Sequence, residues 1–279
     1  MTTTILINGQ PSDGRIPVTD SSVVRGDAVF EVAMAYGGVP FRLDDHLDRL
    51  EASARKLGVG LPRRSLLVEW MTRAAEEIGD GAVRLVATRG SSIPGEPGEP
   101  LVIVFGHELA RPDGPCRLFP VTAPWHAAGV EWDLSGAKIT SYAPNMASTR
   151  RAQAEGFDDA LLVTVDGLVL EGPTFSVAWV IDGVLETPGL ELGILESVTR
   201  RVVLELAAAE GIPFVEVEAP LERMLSADEA MAWSTVREVQ AVSHVGDHGY
   251  ETGPVTKTLQ EAFAALVGNH DSRGGVDPA

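Results

Sequence analysis

Two Asp-Gly dipeptides sit close together in the second half of this chain, Asp166-Gly167 and Asp182-Gly183, each between apolar, strand-forming runs. An Asp-Gly pair in that setting is the signature of a type I′ hairpin turn, whose two central positions both need a positive φ. The first pair sets residues 160–165 against 168–171, and the second sets 175–181 against 184–187. Back-to-back hairpins of this kind do not fit a regular βαβ wind, so the chain reads as α+β with mixed strands and helices.

The first half has its own pattern. Residues 4–8 and 28–36 read as strands, and Gly37-Gly38 turns into a short strand at 39–42. Asp44 is placed to cap a helix over 45–57, with Leu47, Leu50, Ala54 and Leu57 on one face and Gly58 as its stop. A second helix is expected over 64–78, then strands at 82–88 and 101–105. The stretch 89–100 between them is rich in Gly and Pro and reads as a mobile loop. Residues 110–116 form the best linker, which implies a small domain over 1–109 and a larger one over 117–268. In the second half a strand at 117–122, a helix near 145–155 and a helix over 196–210 ending at Gly211 are expected. Residues 269–279 read as a disordered tail.

The formal net charge is −18, a field that repels nucleic acid and anionic membrane surfaces alike. No apolar run reaches the roughly 20 residues of a membrane span, and the N-terminus lacks a secretory pattern, so a cytoplasmic protein is expected. A single cysteine, Cys116, excludes an internal disulfide, and the six histidines show no metal spacing. Among 22 basic residues only Lys56, Lys138 and Lys257 are lysines. A lysine kept where arginine serves elsewhere invites a role that arginine cannot fill, namely deprotonation and Schiff-base formation.

Each candidate site residue has a plain reading beside the chemical one. Lys138 lies in Ser135-Gly-Ala-Lys-Ile-Thr-Ser-Tyr142, among neighbours that would desolvate an amine, yet taken alone its default reading is a solvated loop lysine. Glu171 ends the first hairpin and is either a partner for a protonated ring nitrogen or a surface carboxylate. Glu196-Ser-Val-Thr-Arg200 begins a helix, where free N–H groups beside hydroxyls make either a phosphate cup or a simple cap. Arg49 shares a helical face with His46 and Ser53, and Ser234-Thr235 follow a hydrophobic strand; both are possible phosphate contacts.

The order of these segments is more specific than any one of them. Arg25-Gly-Asp-Ala-Val-Phe-Glu31, His46-Leu-Asp-Arg-Leu50, Lys138 through Tyr142 with Asn145, Gly156-Phe-Asp-Asp-Ala-Leu-Leu162, Asp166-Gly167 through Glu171, Gly193-Ile-Leu-Glu-Ser-Val-Thr-Arg200 and Trp233-Ser-Thr235 resemble, in sequence order, the blocks of class IV (fold type IV) pyridoxal-phosphate aminotransferases. The resemblance covers residues 4–265. It implies a two-domain α+β fold with pyridoxal 5′-phosphate in the cleft, completed by a homodimer partner. It further implies that Lys138 forms the internal aldimine and carries the proton, and that Glu171 holds the pyridine nitrogen. Arg49, Val198, Thr199, Ser234 and Thr235 would hold the phosphate, with Tyr142 near the phenolic oxygen.

Transamination between an amino acid, or an (R)-amine, and a 2-keto acid is the implied activity; aminodeoxychorismate lyase chemistry, which eliminates pyruvate to give 4-aminobenzoate, is the alternative. Subfamily marks are mixed. The strand reads Glu31-Val-Ala-Met34, without the arginine of the branched-chain type or the lyase's threonine near Val32. The loop after Thr88-Arg89-Gly90 lacks the Arg-x-His of one D-amino-acid subgroup, while Phe41-Arg-Leu-Asp-Asp-His46 resembles (R)-amine transaminases. By position, Phe30, Val32 and Val236 are expected near substrate, and Arg237, Arg25 or Arg89 is expected to bind its α-carboxylate.

Overall fold

The computed structural model describes residues 3–93, 98–130 and 132–272. It divides into two compact units, one of residues 1–110, 137–142 and 267–279, the other of 111–136 and 143–266.

The first unit is built on β1 (Thr3–Ile7), β2 (Gln10–Pro11), α1 (Ser21–Arg25), β3 (Ala28–Tyr36), β4 (Val39–Pro40), α2 (Leu43–Leu57), α3 (Arg64–Ile78), β5 (Gly81–Thr88) and β6 (Val102–His107). Its six strands order as β2-β1-β6-β5-β3-β4, all antiparallel. Alternation along β3 assigns its faces. Val29, Ala33 and Ala35 point into a core shared with Leu47, Leu50 and Ala54 of α2 and Leu67, Met71, Ala74 and Ala75 of α3. Phe30 and Val32 take the opposite face. The expected helix stop at Gly58 holds: it is left-handed (φ 70°), and its N–H returns to Ala54 O and Arg55 O. The start differs. The helix begins at Leu43, ahead of the start that an Asp44 cap would allow, with Arg42 in the cap position at φ 51° and no side-chain cap. Asp44 and Asp45 instead lie in the first turn, where carboxylates favour the positive end of the helix dipole.

The second unit contains β7 (Cys116–Thr122), α4 (Ala143–Ala154), β8 (Asp159–Val163), β9 (Ser176–Ile181), β10 (Val184–Pro188), a 3-10 turn (Leu190–Leu192), α5 (Val198–Ala209), β11 (Phe214–Val217), α6 (Leu221–Leu225), β12 (Glu229–Ser234), β13 (Glu238–Val245), β14 (His248–Gly249) and α7 (Pro254–Ser272). Its sheet runs β11-β10-β9-β12-β13-β7-β8, with β14 on β13. The β10–β9–β12–β13 stretch is antiparallel. The parallel pairs β10–β11 and β7–β8 are each bridged by a helix, as parallel neighbours require.

Of the two Asp-Gly turns, the second behaves as expected, with Asp182 (φ 50°) and Gly183 (φ 78°) both left-handed. The first does not. Only Gly167 is left-handed, Gly167 N–H donates to Thr164 O, and Thr164 N–H to Leu168 O. That is a three-residue loop, a type I turn followed by an αL glycine; the expected hairpin pairing still forms, with Val163 bridged antiparallel to Val169, Leu162 N–H donating to Glu171 O and Leu170 N–H to Leu162 O.

Two domain boundaries also differ from the sequence reading. Residues 137–142 return to the first unit because Phe30 N–H donates to Lys138 O and Thr140 N–H to Ala28 O, so this segment adds a short antiparallel strand to β3. α7 continues through Ser272, past the expected start of a tail at 269; residues 273–279 lie outside the described residues, as do 94–97 of the loop expected to be mobile. No described helix is long and apolar enough to cross a membrane.

Candidate active site

In the first unit the candidate residues converge on Phe30. Its ring is buried; Lys138 Nζ lies 4.4 Å from the ring centroid and Tyr142 packs against it edge-on at 5.3 Å. Lys138 owes its place to the added strand and to Ser53, whose Oγ accepts the Lys138 N–H at 3.0 Å. The face of α2 that carries Ser53 also carries His46 and Arg49, and both turn to Glu31, a fully buried carboxylate on β3. Arg49 grips it with two charge-assisted bonds of 2.7 Å each, and His46 Nδ1 donates to Oε2 at 2.8 Å.

Burial by itself would raise the Glu31 pKa, but the charge and hydrogen bonds of Arg49, with His46, overcome this and hold it well below the usual carboxylate range. Burial also lowers His46, and Glu31 only partly offsets it, so the imidazole stays neutral near pH 7. Glu31 thus fixes the direction of Arg49. Its role is not legible from the family blocks alone; the sequence signal for it is a charged side chain at an inward position of an otherwise apolar strand.

Arg84 was missed as well. It stands on β5 opposite Val32, half-buried, with its guanidinium 5.3 Å from the Phe30 centroid and 5.9 Å from that of Phe105. Among the described residues no carboxylate pairs with it, and desolvation pushes its pKa down. Its sequence signal was a lone arginine within Ala82-Val-Arg-Leu-Val-Ala87.

The arginines named from sequence have other surroundings. Arg25 is solvent-exposed in the last turn of α1. Arg89 is paired with Asp27 at 2.7 and 3.1 Å and donates to Leu57 O and Gly58 O, tying down the end of α2. Arg237, in the second unit, donates to Asp159 at 2.9 Å and to Gln240 at 2.6 Å. Two of the three guanidiniums named for a substrate carboxylate therefore already hold a carboxylate of this chain.

The second unit carries the remaining candidates. Glu171 accepts the Leu195 N–H at 3.3–3.4 Å. At the start of α5, Ser197 Oγ takes the Arg200 N–H at 3.2 Å, which leaves the first amides, of Val198 and Thr199, for an outside acceptor. Thr199 is buried there. Ser234, Thr235 and Val236 form the partly exposed tip of the β12–β13 hairpin. Beneath it, Trp233 Nε1 and Ser176 Oγ belong to cross-strand partners and are buried without a hydrogen-bond partner among the described residues, beside the hydroxyl turn. No cluster of metal-ligating side chains occurs among the described residues.

Residues 28–245 match the family described as amino-transferase class IV. The chain belongs to this family. This class IV aminotransferase is 30% identical to a putative branched-chain-amino-acid aminotransferase of Methanocaldococcus jannaschii, over 93% of this chain and 94% of the relative. It is 33% identical to a bifunctional aminodeoxychorismate lyase / D-amino acid transaminase of Mycobacterium tuberculosis, over 72% and 76% of the two chains. Its fold matches a fold IV transaminase from Curtobacterium pusillum with a TM-score of 0.86 at 28% identity, covering 95% of this chain and 99% of the other. Class IV aminotransferases depend on pyridoxal phosphate. Taken unit by unit, the chemistry present is compatible with that group: a partly buried amine in the first unit, and in the second a carboxylate and a hydroxyl-flanked helix start whose first amides have no recorded acceptor among the described residues.

Proposed function

We propose that this aminotransferase moves an amino group between an amino acid and a 2-keto acid, with Lys138 as the covalent anchor and proton carrier. The observation that supports an amino acid, rather than a simple amine, is the pairing of Lys138 Nζ and Arg84 around one buried ring, an amine for the reacting carbon and a nearby cation for a carboxylate. Pyridoxal phosphate supplies, when bound, an electron sink for the pair released as the Cα–H bond breaks. The chain's residues do the rest. Lys138 takes the Cα proton and returns it. Glu171 holds the ring nitrogen protonated. The amides of Val198 and Thr199, with Thr199, Ser234, Thr235 and the Glu31-aimed Arg49, hold the phosphate. Tyr142 is assigned to the phenolic oxygen; Phe30, Val32 and Val236 border the substrate. A homodimer belongs to the same reading, and light scattering reads it directly.

The test is the near-visible spectrum of the protein with added cofactor, followed as single D- and L-amino acids are supplied without an acceptor. The lysine-bound band should form, then bleach with one enantiomer. A band that no amino acid bleaches would overturn the assignment. The bifunctional relative favours a second reading, pyruvate elimination, which is separated by pyruvate release from a single substrate without any keto acid.

Arg84 gives a sharper prediction. Losing a charge-assisted contact typically costs about 1.5–3 kcal/mol, so Arg84→Met should raise KM for amino-acid donors roughly 10- to 100-fold. Donors without a carboxylate should be unaffected. Equal effects on both donor classes would remove Arg84 from substrate binding.

A further inference from the structure

The hairpin tip that carries Ser234 and Thr235 is held in a costly backbone conformation. Glu238, the first residue of β13, is left-handed at φ 54°, a region that side chains other than glycine occupy at a cost on the order of 1 kcal/mol or more. Such a conformation persists only where its surroundings over-determine it, and Arg237 is at the centre of those surroundings. Its N–H donates to Ser234 Oγ at 3.1 Å, closing the turn from within. Its guanidinium lies 4.5 Å over the centroid of the buried Phe175 ring, donates through Nη2 to Asp159 Oδ2 at 2.9 Å and through Nη1 to Gln240 Oε1 at 2.6 Å.

Each partner is itself fixed. Asp159 Oδ1 accepts from Thr149 Oγ1 of α4 at 2.7 Å and from Ala160 N–H at 2.9 Å. Gln240 Nε2 donates to Gly114 O at 3.0 Å. Glu238 pairs with Arg111 at 3.0 Å. The tip is therefore braced against β8, α4 and the chain before β7, and Arg237 carries the braces to β8 and α4. The Arg237 side chain is 15% exposed and that of Asp159 8%, so this ion pair is far less screened than a surface one.

We propose that Arg237 is a positioning residue: it holds the Ser234–Thr235 hydroxyls and the amides beside them in the geometry that receives an anionic group, without touching that group. The inference rests on the proposed function for the identity of the anion, the cofactor phosphate. It differs from the sequence expectation that Arg237 binds a substrate carboxylate.

The experiment compares pyridoxal phosphate with pyridoxal, which lacks the phosphate, by titrating the near-visible band in the wild type, Arg237→Met and Asp159→Asn. Methionine keeps contact with Phe175 and removes the side-chain bonds; asparagine keeps the shape of its partner and removes the charge. Each variant should bind pyridoxal phosphate roughly tenfold or more weakly, the scale of one lost charge-assisted bond, with pyridoxal affinity unchanged. The double variant should add little to either single one. Arg237→Lys, which retains a cation near Asp159, should recover part of the loss. A merely structural arginine would lower the melting temperature and weaken both ligands equally, and that result, or an unchanged ratio, overturns the inference. A wild-type chain that forms no band overturns the proposed function and this inference with it. A normal wild-type band with unaltered variants overturns this inference alone.

Discussion

Replacing Lys138 by alanine should lower kcat/KM for transamination by roughly 10³-fold or more, since it removes both the covalent anchor and the proton carrier. The other two lysines cannot substitute. Lys56 and Lys257 are exposed on helices, whereas Lys138 is partly buried against Phe30. Lys138→Arg should fail equally, because a guanidinium keeps the charge but does not form a Schiff base. Both variants should still bind the phosphate-bearing cofactor, now without the lysine-bound band, and a small added amine should restore a fraction of turnover to the alanine variant. A Lys138→Ala protein that keeps the band, or keeps its rate, would move the chemistry to another residue.

The second large effect is on folding. Glu31→Ala should destabilise the protein by about 3–5 kcal/mol, because it leaves Arg49 charged and without its carboxylate in a site where its side chain is only 11% exposed. At about 2–4 °C per kcal/mol for larger domains, the melting temperature should fall by roughly 10 °C. The paired change Glu31→Leu with Arg49→Leu should recover most of that loss, since removing both charges costs far less than removing one. A drop no smaller in the double variant would show that packing, not the ion pair, sets the cost.

The same pair sets the acid sensitivity. The folded-state pKa of Glu31 is depressed, so its contribution is present above the ordinary carboxylate value of 4.5 and is lost as pH falls towards the folded value. His46 adds to this in the same direction. Its folded pKa lies below the ordinary 6.5, so below that pH the unfolded chain takes up a proton that the folded chain refuses. Stability should therefore fall in two stages on acidification, the first absent in His46→Gln and the second in Glu31→Gln, as read by melting temperature against pH.

Much of the local structure was legible in the residues themselves. The bounds of α3 and the run of β3 follow from apolar periodicity, the end of α2 from Gly58, and the second hairpin from Asp182-Gly183. These signals are local: a cap, a turn or an apolar stripe is specified by residues within a few positions of one another. The order of the family blocks likewise pointed to the family that the chain belongs to; the roles it implies for Lys138, Glu171 and the α5 start remain part of the proposed function. Tertiary structure decided the partners of the charges. Arg49 meets Glu31 18 residues away, Arg89 meets Asp27 across 62, and Arg237 meets Asp159 across 78. It also carried 137–142 back to β3, which put Lys138 in the first unit. An arginine reads the same in sequence whether it braces a turn or faces a substrate. What it does depends on which carboxylate the fold brings within about 3 Å of it, and that distance exists only once the strands have paired.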